Sequence, residues 1–320
     1  MAIRLNRNRL NRDTIQLLII LTALVVLMVV FSSISPYFFS AENMLTILLT
    51  STSVGIIAIG QFLCLLSGHF DISTGNVAAL AGIIFCMFVK DFGWSVPAAL
   101  ALGLLFGLAS GAFIGFCVAK LKANAFISTF AMMQVYRGIL FVVTAGMPIA
   151  MPTIAAFRFL GTYKAFGTVQ LPIVLMLIGF AGFWFVLKYT KLGRAVYCVG
   201  GNAEAARISG INVQRVTMFC FIIIGVLASF VGMLFASRVN SGQVNVGATY
   251  AMDSVAACVV GGTGMNGGKG TIWGVLLGVI IVNVLQNGLI MIGLDPSYQY
   301  IATGSIMLAA VIAQTERKKA

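Results

Sequence analysis

The chain alternates long apolar runs with short polar gaps along almost its whole length. A helix needs about 20 apolar residues to cross a hydrocarbon core of about 30 Å, and most of the runs reach that length. The run at 251–264 is short and ends in glycine, but counting it places both basic termini on one side of a membrane. The pattern predicts an all-α polytopic membrane protein with about ten transmembrane helices. The runs lie at roughly 14–34, 44–66, 72–89, 94–119, 124–145, 169–188, 216–237, 251–264, 271–293 and 297–313.

Composition and charge agree with a membrane protein. Of the 320 residues 60% are hydrophobic and only 9% are charged, which is too little charge to cover the surface of a soluble domain. The net charge is +12, but most lysines and arginines lie in alternate polar gaps, as the positive-inside rule requires, rather than in a site for nucleic acid. Both termini are therefore expected in the cytoplasm. The predicted order is a basic N-terminus (1–13) and one transmembrane domain (14–320), made of a first half (14–188), a cytoplasmic loop (189–215), a second half (216–313) and a tail (314–320).

The cysteines and the histidine do not suggest a metal site. The six cysteines form no Cys-x-x-Cys pair, and nearly all lie inside apolar runs, so we interpret them as small buried hydrophobic residues. His69 is the only histidine, and one histidine without further ligands cannot build a metal site.

A weak internal repeat is visible in the two halves. The segment from Asp71 to Ala79 resembles the segment from Asp253 to Ala257, and each is followed by a helix with glycine at every fourth position. Five predicted helices separate the copies, and this odd offset indicates an inverted repeat, which is typical of transporters with a pathway at the repeat interface. Chance similarity between apolar, glycine-rich segments is the alternative. The glycines are Gly103, Gly107, Gly111 and Gly115 in one helix and Gly270, Gly274 and Gly278 in the other.

Polar groups within the apolar runs are candidates for a translocation pathway, because a charged side chain at mid-bilayer costs about 2.5–3.5 kcal/mol. The segment 68–75 begins and ends with glycine and is predicted to interrupt a helix between two spans. The alternative is structural: the acids cap helix N-termini and the amides join helices. The candidate residues are Asp71, Ser73, Arg137, Asp253, Asn283, Gln286 and Asn287.

The polar loop at 189–215 carries the signals of a short helix. Asn202 is a good N-cap, Glu204 follows in the first turn, and Gly210 supplies a left-handed stop. One or two turns are not stable alone in water, so we expect this helix to dock on the bundle or on a partner. An ordinary capped loop between helices is the alternative.

The glycine-rich segment 261–270 superficially resembles a phosphate-binding loop. Thr263 stands where that loop needs its first glycine, and Gly270 follows Lys269 where a hydroxyl side chain is needed. We therefore expect no cofactor, and no ATP, to be bound by this chain.

Three segments together resemble one family. Asp71 and Ser73 with their flanking glycines, the loop around Glu204, and the glycine-rich segment 261–270 are similar, in that order, to signatures of permease subunits of bacterial ribose-, galactose- and xylose-type ATP-binding-cassette importers. One departure is the insertion of His69 and Phe70 between Gly68 and Asp71, where the commoner form has a single residue. The resemblance implies a coupling loop whose residues are Gly201, Asn202, Glu204, Ala205, Ala206, Arg207 and Gly210.

The resemblance also implies partners and a location. These are a cytoplasmic ATPase that binds ATP and Mg, a second permease copy or paralogue, and an extracytoplasmic sugar-binding protein, assembled at the bacterial inner membrane. The small Ala205 and Ala206 are expected to allow close approach of the ATPase. The chain would then be a transport subunit and not an enzyme. An ion-coupled secondary carrier for a small polar solute is the alternative, but it leaves the coupling-loop motif unexplained.

Overall fold

The computed structural model describes residues 7–165, 167–295 and 297–316, and within them the fold is almost entirely helical. Residues 1–6 of the predicted basic N-terminus and 317–320 of the predicted tail lie outside the described residues. The helices are α1 (Arg7–Ile34), α2 (Ala41–Leu66), α3 (Thr74–Lys90), α4 (Val96–Ala119), α5 (Ala125–Thr144), α6 (Ala155–Thr162), α7 (Leu171–Tyr189), α8 (Lys191–Gly201), α9 (Ala203–Ile208), α10 (Val213–Val239), α11 (Tyr250–Val260), α12 (Ile272–Met291) and α13 (Ser297–Glu316). The strands, two residues each, are β1 (Ile149–Ala150), β2 (Lys164–Ala165), β3 (Val169–Gln170) and β4 (Ser241–Gly242), and β1 pairs with β4 and β2 with β3, both antiparallel.

Each of the ten predicted apolar runs contains a helix, but the helices differ in length. Seven in the described part of the chain are long and apolar enough to cross a membrane, namely α1, α2, α4, α5, α7, α10 and α12. The helices α3 and α11 are apolar but have only 17 and 11 residues. At about 1.5 Å per residue, α11 covers about half of a hydrocarbon core of about 30 Å. A membrane protein with seven candidate spans is thus established, and the number of ten remains a prediction.

The helix α10 lies at the centre of the bundle, in contact with α2, α3 and α4. The predicted glycine face of α4 packs on it at backbone distance. A Cβ on Gly107 would overlap the carbonyl oxygen of Gly225, and one on Gly111 would overlap that of Phe221. Small residues let two helices approach this closely in lipid, where apolar side chains gain little from associating with each other.

Two glycines of the second predicted face make the same kind of contact between α12 and α11. The third, Gly270, was predicted on this helix but lies before its start, with a φ of +144°. A Cβ on Gly278 would overlap the carbonyl oxygen of Ala257, and one on Gly274 would overlap that of Gly261. The helix pairs also correspond across the two halves. The contacts of α10 with α3 and α4 are matched by contacts of α2 with α11 and α12, and those of α5 with α3 and α4 by those of α13 with α11 and α12.

The helix α6 was not predicted, because its eight residues do not form a long apolar run. It packs on the C-terminal part of α10. Phe157 of α6 is buried against Phe85 of α3, with ring centres 4.7 Å apart. Ser237 on α10 donates through Oγ to the carbonyl of Phe157 at 2.6 Å and accepts from the amide of Gly161 at 2.8 Å.

We expect Gly111→Ala to destabilise the protein, because its methyl group would collide with the backbone of α10. Overpacking of this kind typically costs about 1–3 kcal/mol. The melting temperature of the purified protein in detergent measures the effect. Gly182→Ala on α7 is the matched control, since a Cβ there meets nothing within 4 Å, and replacing a helical glycine with alanine typically gains up to about 1 kcal/mol. A Gly111→Ala protein that melts at or above the wild-type temperature would contradict the α4–α10 contact.

Candidate functional site

The break between α2 and α3 is braced by Asp71. This side chain is buried, and its Oδ1 accepts hydrogen bonds from the amide and the hydroxyl of Ser73 at 2.7 and 2.6 Å. The side-chain amide of Gln61, oriented to satisfy both neighbours, pairs with the backbone N–H and C=O of Asp71 at 3.2 and 3.1 Å. The contacts of Asp71 and Ser73 are those of a closed turn that precedes α3 and does not cap its first N–H groups.

A second polar cluster joins α11, α12 and α13. Gln286 on α12 donates through Nε2 to Oδ1 of Asp253 on α11 and to Oγ1 of Thr303 on α13, both at 3.4 Å. These bonds are long, and Asp253 is 6% exposed. The structure therefore brings two of the predicted pathway residues, Asp253 and Gln286, into contact.

The predicted amide face of α12 does not act as one unit. Asn283 is buried and donates to the carbonyl of Val279 in its own helix at 3.0 Å. The Oδ1 of Asn287 is buried and, in the described part of the chain, has no hydrogen-bond partner. Among the described residues, Gln286 is the one of these three amides that bonds to neighbouring helices.

Arg137 lies on the exposed face of α5. The only salt bridge among the described residues joins Glu204 and Arg207, so Arg137 has no acidic partner there, and its guanidinium lies 6.0 Å from the ring centre of Phe141. Gln134, one turn before it, is exposed on the same face and was missed by the sequence reasoning. Arg137 lies within the candidate span Ala125–Thr144. An unpaired arginine in a membrane-spanning helix is costly against lipid, so this face of α5 is suited to water or to another protein surface. The spacing of three residues from Arg137 is the signal that identifies Gln134.

The starts of α3 and α11 meet at their backbones. A Cβ on Gly75 would overlap the carbonyl oxygen of Gly247. Beside this contact lies a cavity of about 210 Å³, between α5 and the two helix starts. A larger cavity of about 520 Å³ lies between α4 and α6. The larger cavity is lined by apolar residues alone, whereas Asn76 lines the smaller one. The smaller cavity is therefore the better candidate for a polar solute, although neither cavity is lined by one of the predicted pathway residues.

The loop at 189–215 contains two helices, of which the second was predicted. Asn202 caps α9 as expected, because its Oδ1 accepts from the amides of Glu204 and Ala205, both at 3.0 Å. Gly210 has the left-handed φ of +81° that ends the turn. Arg207 donates to both carboxylate oxygens of Glu204, with an Nε–Oε2 distance of 3.0 Å. This hydrogen bond holds the pKa of Glu204 below its ordinary value. The preceding helix α8 was not predicted, and it exposes Cys198, which we had expected to be buried.

The orientation of α9 corrects the expected docking surface. Ala206 is only 4% exposed and belongs to the core of the chain itself, because α9 lies on α8 and α10. The expectation that Ala206 lies open to a partner is therefore wrong. Ile208 instead is 76% exposed, and it is the large apolar side chain that α9 presents to the outside.

The loop at 189–215 and the glycine-rich segment 261–270 meet at one junction with the end of α2. The amide of Gly268 donates to the carbonyl of Leu66 at 2.9 Å. A Cβ on Gly200, at the end of α8, would overlap that same carbonyl oxygen. The hydroxyl of Tyr197 donates to the carbonyl of Gly270 at 2.9 Å. The end of α2, the end of α8 and the glycine-rich segment 261–270 are thus in direct backbone contact.

We expect Asp71→Ala to destabilise the protein, because the buried amide and hydroxyl of Ser73 would lose their acceptor. An unsatisfied buried donor costs about 1–3 kcal/mol. Asp71→Asn keeps an acceptor oxygen and should retain most of the stability. Asp91→Ala, at an exposed position after α3, is the control and should leave the melting temperature unchanged. Equal melting temperatures for Asp71→Ala and wild type would show that Asp71 does not brace the break.

Comparison with known proteins gives one consistent answer. The model of the family described as branched-chain amino acid transport system / permease component matches residues 43–311. The ribose import permease protein RbsC of Haemophilus influenzae is 39% identical over 297 residues, covering 91% of this chain and 90% of that protein. RbsC of Bacillus subtilis is 35% identical, covering 92% and 91%. The L-arabinose transport system permease protein AraH of Escherichia coli is 34% identical, covering 89% and 86%.

No solved structure gives a significant match to the chain. The match to the family model and the relatives named above all extend over most of the sequence. This chain therefore belongs to the branched-chain amino acid transport system / permease component family and, within it, to the permeases of sugar ATP-binding-cassette importers.

Proposed function

We propose that the chain is the membrane subunit of an importer that moves a monosaccharide, a pentose or hexose, delivered by an extracytoplasmic binding protein. A separate cytoplasmic ATPase, which binds ATP and Mg, drives the transport. The observation that carries this proposal is the junction of Leu66, Gly200 and Gly268. In this junction the loop that would receive the ATPase is in backbone contact with the end of α2 and with the segment 261–270, which supports a rigid connection between the docking surface and the proposed pathway.

The chain is proposed to cross the bacterial inner membrane ten times, with both termini in the cytoplasm. The short α3 and α11 then complete their crossings with the non-helical segments next to them. Backbone outside a helix is tolerated at membrane depth only where protein or water satisfies it, and the pairing of Gln61 with the backbone of Asp71 supplies such contacts. The matching helix contacts of the two halves favour an inverted repeat.

The pathway is proposed to run along the exposed face of α5, which a second permease copy or a paralogue covers on the other side. Arg137 and Gln134 lie on this face, where water or a sugar hydroxyl satisfies them better than lipid does. The other candidates support the walls: Asp71 and Ser73 close the break, and Asp253 and Gln286 join α11, α12 and α13. Asn283 and Asn287 lie on α12 with Gln286. A role of these residues in handing the sugar along is part of the proposal.

The proposed function is tested by reconstituting the permease with its ATPase and its binding protein in proteoliposomes. ATP-dependent uptake of ribose or L-arabinose that requires all three proteins is the expected result. Uptake without the ATPase, driven by an ion gradient, would favour a secondary carrier and contradict the proposal.

In the same assay we expect Ile208→Ser to weaken binding of the ATPase and to lower uptake. The exposed isoleucine is suited to an apolar groove on the partner, and loss of a buried anchor costs about 2 kcal/mol or more, roughly thirtyfold in affinity. Ile208→Val keeps the apolar contact and should behave nearly as wild type. Wild-type ATPase affinity and uptake in Ile208→Ser would exclude this residue as the anchor.

The topology is tested by cysteine labelling of intact cells in a cysteine-free background. An impermeant maleimide should modify Asp91→Cys, in the gap after α3, from outside. Lys191→Cys, at the start of α8, and Thr315→Cys, near the C-terminus, should react only after the membrane is permeabilised. Labelling of Thr315→Cys in intact cells would contradict ten crossings.

A further inference from the structure

The cavity beside the two helix starts has an aromatic wall. Phe126 and Phe130, one turn apart on α5, stack with ring centres 6.2 Å apart and planes 13° apart, and both line the cavity. Phe70, in the break before α3, lies 6.0 Å from Phe126. The rings of Phe126 and Phe130 are 49% and 46% exposed, so the cavity is open along this wall.

Polar groups lie next to the rings. Asn76 lines the cavity from α3 and is oriented by its amide, which donates to the carbonyl of Met133 at 2.7 Å. In the described part of the chain, the Oδ1 of Asn76 accepts no hydrogen bond and is available to a solute. Gln134 and Arg137 follow Phe130 on the same face of α5, at spacings of four and seven residues.

From this geometry we infer that the cavity is a transient site for one monosaccharide, with the ring of Phe130 as the platform for the apolar face of the sugar. The inference rests on the proposed function, and it identifies where the sugar binds during transport. The C–H groups of a sugar ring suit the negative face of an aromatic ring, while its hydroxyls need donors and acceptors at the rim.

The size of the cavity agrees with this occupant. Its volume of about 210 Å³ equals that of about seven water molecules at about 30 Å³ each. This volume is sufficient for a single sugar ring. One aromatic face and a few polar groups also make a weak site, and a conducting pathway requires sites that release what they bind.

The test uses the full complex of permease, ATPase and binding protein in proteoliposomes, with ribose and L-arabinose as probes. Phe130→Leu removes the ring and keeps an apolar side chain. We expect it to lower the maximal uptake rate about three- to tenfold, the range of one aromatic contact. The sugar concentration at half-maximal uptake should stay unchanged, because the binding protein sets it. Phe113→Leu, at an exposed position of α4, is the matched control and should transport as wild type.

A second measurement separates occupancy from a structural effect. Met252 lines the cavity and is 47% exposed, so Met252→Cys in a cysteine-free chain reports on access to it. A saturating concentration of the transported sugar should slow modification of Met252→Cys by a small thiol reagent at least about threefold. The control Leu177→Cys, on the exposed side of α7 and equally exposed, should not respond to sugar.

The outcomes are distinct. Slower modification of Met252→Cys together with slower uptake by Phe130→Leu supports the site. Modification that does not respond to sugar overturns it, and a change only on delipidation would identify the occupant as an acyl chain. Uptake by Phe130→Leu at the wild-type rate overturns the role of the ring. In each of these cases the wild-type complex still imports sugar, whereas failure of the proposed function would appear as no uptake by the wild-type complex.

Discussion

Close backbone contact through glycine is the constraint on which the rest of the structure depends. Between helices in lipid there is no hydrophobic driving force, so association relies on packing distance and on hydrogen bonds. The glycines of α4 and the small residues of α10 bring these helices together, as Gly274 and Gly278 do for α12 and α11. Because α10 also contacts α2 and α3, the position of this central helix fixes the bundle around the non-helical segments next to α3 and α11.

The same device allows non-helical backbone to lie inside the bundle. Where Gly75 meets Gly247, neither residue has room for a side chain, and the backbone of each segment covers that of the other. Most buried polar groups of the break are satisfied by protein: Gln61 pairs with the backbone of Asp71, and Asp71 accepts from Ser73. The hydroxyl oxygen of Thr74 is the exception, since it has no hydrogen-bond partner in the described part of the chain. The non-helical segments are thus ordered parts of the fold. The polar side chains of the break between α2 and α3 hold its backbone in place.

The apolar helices could be predicted from the sequence because the bilayer imposes one strong rule on length and composition. The N-cap at Asn202 and the left-handed stop at Gly210 could also be predicted from the sequence, because each depends on a local hydrogen bond or a local φ. The short α6 and α8 were missed, because eight to eleven residues give too little periodicity. The orientation of α9 could not be predicted either, because a helix of six residues is too short to show a hydrophobic periodicity. Its sequence therefore does not indicate that Ala206 faces inward and Ile208 outward. The cavity depends on three distant segments, and its aromatic wall was not predicted.

The contacts around the non-helical segments next to α3 and α11 differ in stiffness, and this difference determines which elements can move. The junction of Leu66, Gly200 and Gly268 is made of backbone in direct contact. Because this packing leaves no free space, the segments cannot move relative to one another without a clash. A displacement of α8 and α9 should therefore move the ends of α2 and of the segment 261–270 with them. The helix α5 is attached differently, through side chains: Tyr136 and Leu140 are buried in the core, and the hydroxyl of Tyr136 donates to Ser110 at 2.6 Å. Side-chain contacts can be exchanged by changes of rotamer, so α5, the helix that forms the aromatic wall, should shift against the bundle more easily than α8 does.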